Sequence, residues 1–291
     1  MSDRRPYVVA HRGASGDAPE NTAASIALAA AQGADVCEVD ARLTADGALA
    51  VVHDETLART TDCARVLPGR APWRVADLSW GEIAGLTAGV HEGEPQGVPT
   101  LDDVVAQTRA LGIGLLVELK PEADDGALER AVADCLRRPG DSSWLADRVL
   151  LGCFDIASLE RCRDAIGPGA PELALILSWL VARDGVIASV DPVTPGLVEP
   201  GATLAELREG LARRGVGHLG MAVFGIHGQP VTDVDVATIE WLRAGGVELN
   251  LNANDPQAMA SALKLGLSSV LTDHPGGLAA LRDAGQGRSN G

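Results

Sequence analysis

Residues 35–53 read DVCEVDARLTADGALAVVH, and the reading of this stretch decides the fold. Two strand-like runs, 35–41 and 48–53, flank the turn segment LTADG. A parallel crossover needs a dozen or more residues, so a connection this short makes the pair a hairpin. Glu38 and Asp40 stand two apart on the first run, which points both carboxylates to one face. The second run returns the chain and brings His53 near them.

On either side, short Val/Ile/Leu-rich runs alternate with segments of helical period. Strands are read at 7–11, 35–41, 48–53, 114–119, 148–154, 172–178, 217–223, 247–252 and 268–272. Helices are read at 20–32, 101–111, 125–138, 158–165, 204–214, 234–244, 256–265 and 278–283. Asn21 or Thr22 can cap the first of these, and Gly33 ends it. Strand alternating with helix over the whole length indicates parallel βα units. The length suits an irregular TIM (β/α)8 barrel, a fold of about 250 residues, with a short excursion after the third strand. One domain is expected over residues 1–291. Residues 54–99 break the pattern with Pro68, Pro72, Trp73, Trp80 and Pro95 and one short helix near 78–86, which reads as an excursion over the barrel mouth and a candidate lid. Residues 284–291 read as a disordered tail.

The composition narrows the function. With 40 Asp+Glu against 24 Lys+Arg, the formal charge of −16 disfavours a nucleic-acid partner by repelling phosphates. No window approaches the roughly 18–20 apolar residues of a membrane span, and the N-terminus lacks a signal-peptide pattern. No membrane anchor is expected. The five cysteines are odd in number and show no Cys-x-x-Cys spacing, which suits small buried hydrophobes in a reducing cytoplasm. The partner is then a small molecule, and nothing in the sequence speaks to oligomeric state.

In a barrel enzyme the site lies at the C-terminal strand ends. Here those ends carry His11-Arg12-Gly13, Glu38-Val39-Asp40, His53-Asp54, Glu118-Leu119-Lys120, Asn252 with Asn254, and Thr272-Asp273. Glu38, Asp40 and Glu118 offer three oxygen ligands and no thiolate, which points to a hard cation, Mg²⁺ or Ca²⁺. A carboxylate pair for glycoside hydrolysis is the alternative, and two histidines and a lysine at the same rim fit it less well. His11 and His53 can serve as general acid and base near neutral pH. Arg12 and Lys120 supply the planar fork and the point charge suited to one phosphoryl group.

Taken in order, HRG (11–13), PENT (19–22), EVD (38–40), TADG (44–47), VHD (52–54), PTL (99–101), ELK (118–120), Phe154 and Thr272-Asp273 resemble the glycerophosphodiester phosphodiesterase family from about Val8 to Pro275. The resemblance implies an irregular TIM barrel and a divalent metal on Glu38, Asp40 and Glu118. It also implies His11 and His53 as the acid–base pair, and Arg12 and Lys120 on the phosphate. The implied reaction yields glycerol 3-phosphate and an alcohol. Lysophospholipid cleavage on the same barrel is an alternative, for which Trp73, Trp80 and Leu86 are expected to offer an apolar mouth. A non-catalytic sugar-phosphate binding protein is another.

The chain departs from the family pattern in three places. Gly152 and Cys153 replace two serines on the fifth strand read. Leu251-Asn252-Ala253-Asn254 replaces W-T-V-N on the eighth, so Leu251 stands where a pocket-walling tryptophan is expected. Residues 178–228, including VFGIHGQP, match weakly.

Overall fold

A computed structural model describes residues 5–138, 142–177, 180–190, 197–221 and 233–286. The described strands are β1 (Tyr7–His11), β2 (Val36–Leu43), β3 (Leu49–Val51), β4 (Thr87–His91), β5 (Glu94–Gly97), β6 (Gly114–Leu119), β7 (Val149–Cys153), β8 (Glu172–Leu177), β9 (Leu180–Arg183), β10 (Val186–Val190), β11 (Val216–Met221), β12 (Glu248–Asn252) and β13 (Ser269–Thr272). β1, β2, β6, β7, β8, β11, β12 and β13 pair in parallel in that order. β1 pairs in parallel with both β13 and β2, which closes an eight-stranded barrel. The expected hairpin is present: β3 runs antiparallel on β2, with Ala41 opposite Val51. β3 is an outer arm, so β7 and β12, read as the fifth and eighth strands, are the fourth and seventh of the barrel.

Both faces of these strands are buried, as parallel sheets require. Val8, Ala10, Cys37, Val39, Ala41, Leu115, Val117, Leu249 and Leu251 pack outward into the layer under the helices. The alternate residues point into the barrel, where Val9, Leu116 and Ala174 form a small inner cluster. On β2 those inner positions are Glu38 and Asp40.

The helices lie close to the sequence reading. The first begins later than expected, at Ala23, because Thr22 caps it through a reciprocal pair of bonds with Ser25. Glu20 and Asn21 therefore stay in the loop. The last helix runs Pro275–Gln286, so residues 284–286 are helical and not part of a tail. A short helix, Ser142–Arg148, was not read from the sequence.

Two hairpins also escaped the sequence reading, β4–β5 and β9–β10. Their turns place Glu92-Gly93 and Asp184-Gly185 at positive φ, the left-handed geometry of tight hairpin turns. The excursion has a core of its own around Leu57, Val75, Leu78, Ile83 and Leu86, with Trp73 and Trp80 packed against it. Leu86 is buried, and the Trp73 indole N–H donates to the carbonyl of Leu67. Trp73 and Trp80 are half-buried against this core. Among the described residues no helix is long and apolar enough to cross a membrane. VFGIHGQP lies outside the described residues.

Candidate active site

The register of three neighbouring strands levels the charged side chains. His11 on β1 stands beside Glu38, and Asp40 stands beside Glu118 on β6. Glu38, Asp40 and Glu118 are all buried, and their oxygens approach within 4.8 Å of one another. Water cannot screen such a cluster, so its charge must be offset by neighbours.

The first loop supplies part of that offset. Arg12 adopts φ +57° and donates its backbone N–H to Glu38 Oε2 at 2.8 Å. The next residue must be glycine: a Cβ at Gly13, itself at φ +80°, would lie 2.4–2.6 Å from Ser25. Asn21 donates its side-chain amide to Asp40 Oδ2 at 2.9 Å. Arg12 Nε lies 3.5 Å from the same Oδ2. Lys120 bonds Glu118, and its Nζ lies 3.3 Å from Asp40 Oδ1.

Glu38 Oε1 and Asp40 Oδ1 remain buried without a hydrogen-bond donor. Burial, then the charge of Asp40, pushes the Glu38 carboxyl up to about 8. Burial also raises Glu118, against the pull of Lys120. Asp40 is depressed, because Lys120 and then Arg12 outweigh its burial. Glu38 Oε1, with no donor, and Asp40 Oδ1, with only the Lys120 ammonium 3.3 Å away, lie in an all-oxygen donor set that fits a hard cation, so these three residues could hold one.

Each histidine is backed by an aspartate. His11 Nδ1 contacts Asp273 Oδ1 at 2.7 Å. Asp273 is fixed by Ser15 at 3.1 Å and by the Asn254 side-chain amide at 2.7 Å. His53 Nδ1 contacts Asp54 Oδ1 at 2.7 Å, and the His53 carbonyl accepts from Arg42 at 2.9 and 2.8 Å. Both aspartates are held below the usual carboxylate range. An ionised carboxylate only accepts, so each Nδ1 carries the hydrogen and each Nε2 is left for proton transfer. Burial lowers the His11 imidazole, but the bond to Asp273 and the charge of Glu38 more than offset this, and its pKa is raised. For His53 burial prevails over Asp40, with Lys120 acting in the same direction, and its pKa is lowered.

The structure thus gathers all seven residues read from the sequence: His11, His53, Arg12, Lys120, Glu38, Asp40 and Glu118. Lys120 sits among the carboxylates, with Nζ 5.7 Å from the Phe154 ring centre. The sequence reading gave no role to Asp273, Asp54, Asn254, Glu20 or Arg59. Adjacency to His53 was a legible signal for Asp54; Asp273 and Arg59 meet their partners only through the fold. Glu20 lies 3.1 Å from Arg12, and Arg59 bonds both Glu20 and Asp54.

The departures from the family pattern also find their places. Gly152 faces inward, where a Cβ would lie 3.3 Å from Leu116. Cys153 faces outward into the packed layer. Leu251 belongs to that outer layer too, so it walls no pocket; Asn252, on the opposite face of β12, is the residue turned toward the interior.

Fold and site together define a (β/α)8 barrel whose mouth joins a buried acidic triad to two histidine–aspartate pairs. Residues 11–185 match the Glycerophosphoryl diester phosphodiesterase family, and the chain belongs to that family. It is 35% identical over 289 residues to the human glycerophosphoinositol inositolphosphodiesterase GDPD2, a match covering 92% of this chain and 46% of that protein. YhdW of Bacillus subtilis is 35% identical over 161 residues, 54% of this chain and 61% of YhdW. The chain therefore spans less than two thirds of both relatives. Among solved structures, an Oleispira antarctica phosphodiesterase in complex with the product sn-glycerol-3-phosphate superposes with a TM-score of 0.73 at 26% identity, over 96% of this chain and 97% of that one.

Proposed function

We propose that this chain, folded as one domain over residues 1–291, hydrolyses glycerophosphodiesters to glycerol 3-phosphate and an alcohol. The observation that carries the reading is the convergence of Glu38, Asp40 and Glu118 with two aspartate-backed histidines and two cationic side chains at one barrel mouth. The sn-glycerol-3-phosphate in the Oleispira enzyme supports the same product class. Glu38, Asp40 and Glu118 would hold one divalent cation, Mg²⁺ or Ca²⁺, which would offset the phosphate charge when bound.

The chain's own residues supply the rest. Arg12 and Lys120 hold the phosphate oxygens. His53, whose pKa is lowered, stands unprotonated at neutral pH and takes a proton at Nε2 from the attacking water, whose oxygen forms the new bond to phosphorus. The P–O bond to the alcohol breaks, and His11, whose pKa is raised, returns a proton to the leaving oxygen from its own Nε2. Five buried, free cysteines suit a reducing compartment and support a cytoplasmic location.

The test incubates the purified chain with glycerophosphocholine and follows phosphorus resonances. Glycerol 3-phosphate should appear with Mg²⁺ or Ca²⁺ present, and excess chelator should stop it. Full turnover in chelator would overturn the cation assignment. Saturable binding of glycerol 3-phosphate without turnover of any diester would make the chain a sugar-phosphate binding protein. Turnover of micellar lysophospholipid alone would move the substrate to the lipid class.

A further inference from the structure

We infer that Arg59 is a positioning residue of this site, acting through Asp54 on His53 and through Glu20 on Arg12. The inference rests on the histidine acid–base reading above. Arg59 belongs to the excursion, outside the barrel, and its side chain is half exposed. One edge of its guanidinium meets Asp54, with Nε 2.6 Å from Oδ2 and Nη2 3.1 Å from Oδ1. The other edge meets Glu20, with Nη1 2.6 Å from Oε2 and Nη2 2.8 Å from Oε1. Beyond these carboxylates lie the two working groups: Asp54 accepts from His53 Nδ1 at 2.7 Å, and Glu20 Oε1 accepts from Arg12 Nη1 at 3.1 Å.

A single surface ion pair adds little. This arrangement differs in geometry, because a planar fork engages each carboxylate twice and holds both. Without that cation the two carboxylates would repel each other and swing apart. The His53 ring would then lose its orienting acceptor, and the Arg12 guanidinium would lose one of its two anchors. Arg59 touches neither phosphate nor reacting oxygen in this account. It sets the angle at which one group takes a proton and the other holds the substrate. Through it the excursion fixes the geometry of the barrel mouth.

A staple that merely ties the excursion to the rim would show the same bonds, so the test must separate orientation from stability. Kinetics on glycerophosphocholine, with melting curves, are compared for wild type and for Arg59→Ala, Arg59→Lys, Asp54→Asn, Glu20→Gln and the Arg59→Ala/Asp54→Asn pair. Exposed Arg65, paired with Asp62, gives the control Arg65→Ala, expected near wild type. Arg59→Ala should lower kcat about 10–100-fold, the usual range for a group orienting a functional ligand, and raise KM several-fold. Asp54→Asn should lower mainly kcat and Glu20→Gln should raise mainly KM. The double variant should have the kcat of Asp54→Asn alone, because both changes cut one linkage. Added guanidinium should restore part of the activity of Arg59→Ala and leave wild type unchanged. Arg59→Lys keeps the charge and loses the fork, so it should stay impaired while melting normally. It carries the test if Arg59→Ala does not fold.

Near-native kcat in Arg59→Lys, additive losses in the double variant, or a lowered melting point with unchanged kinetic constants would each overturn the inference. His53→Ala is measured alongside. If it keeps wild-type kcat, the acid–base reading has failed, and this is distinguishable from a failure of Arg59 alone.

Discussion

Replacing Lys120 with methionine tests whether this lysine shares the place of a cation. Lys120 Nζ bonds Glu118 and lies 3.3 Å from Asp40 Oδ1, while the Asp40 side chain is fully buried and that of Lys120 is 13% exposed. Lys120 is the charge that most depresses Asp40. Methionine keeps most of the apolar stem and deletes the ammonium, leaving Arg12, among the described residues, as the cation paired with Asp40. Breaking a buried ion pair from one side costs about 3–5 kcal/mol. At about 2–4 °C per kcal/mol for a chain near this size, the melting point in chelator should fall by roughly 6–20 °C.

A divalent cation placed among the same carboxylates supplies the missing charge. A cation at 100 times its Kd stabilises by about 2.7 kcal/mol, and the variant, relieved of a competing ammonium, should bind it more tightly than wild type. Melting curves of both proteins in chelator and across a Mg²⁺ or Ca²⁺ titration decide the matter. The gap between them should narrow as cation is added, and the variant should respond at lower concentration. A gap of equal size in chelator and at saturating cation would refute the reasoning, since Lys120 would then be stabilising something other than the acidic cluster.

His11→Ala and His53→Ala should each lower kcat about 10²–10⁴-fold on a natural diester while leaving the fold intact. An activated aryl leaving group needs no proton, so it should rescue His11→Ala and not His53→Ala. For wild type, kcat/KM should rise as pH climbs through the lowered His53 value and fall as it passes the raised His11 value; His53→Ala should lose the acid limb, and a profile that keeps it would reassign the base. Leu251→Trp should overpack the layer beneath the helices, cost about 1–3 kcal/mol in a denaturant melt and leave KM no lower, because Leu251 faces away from the mouth. An improved KM would put that face in the pocket. Burial pushes the Cys135, Cys153 and Cys162 thiols up to about 12, so a thiol reagent at pH 8 should label none of them in the native protein and all of them after denaturation; rapid native labelling would contradict their burial.

The sequence determined much of this protein by local rules. Strand period placed Glu38 and Asp40 on one face, because alternate side chains on a strand share a side whatever surrounds it. The five-residue link TADGA (44–48) made β2 and β3 a hairpin, because no parallel crossover fits it. An Asp-Gly turn signal stands at 184–185, but the weakly matching stretch around it gives no local frame for a hairpin outside the barrel.

Period alone cannot say which side of a strand faces the helices and which the barrel interior, since both sides are covered. Leu251 and Asn252 are neighbours, and only barrel closure turned the first toward the helices and the second toward the mouth. The same closure brought Asp273 to His11 across 262 residues of chain. Arg59 met Glu20 across 39 residues because the excursion folded back on the first loop. Such contacts arise from strand order and from the packing of a segment with its own core, and neither leaves a periodic trace in the residues that make them.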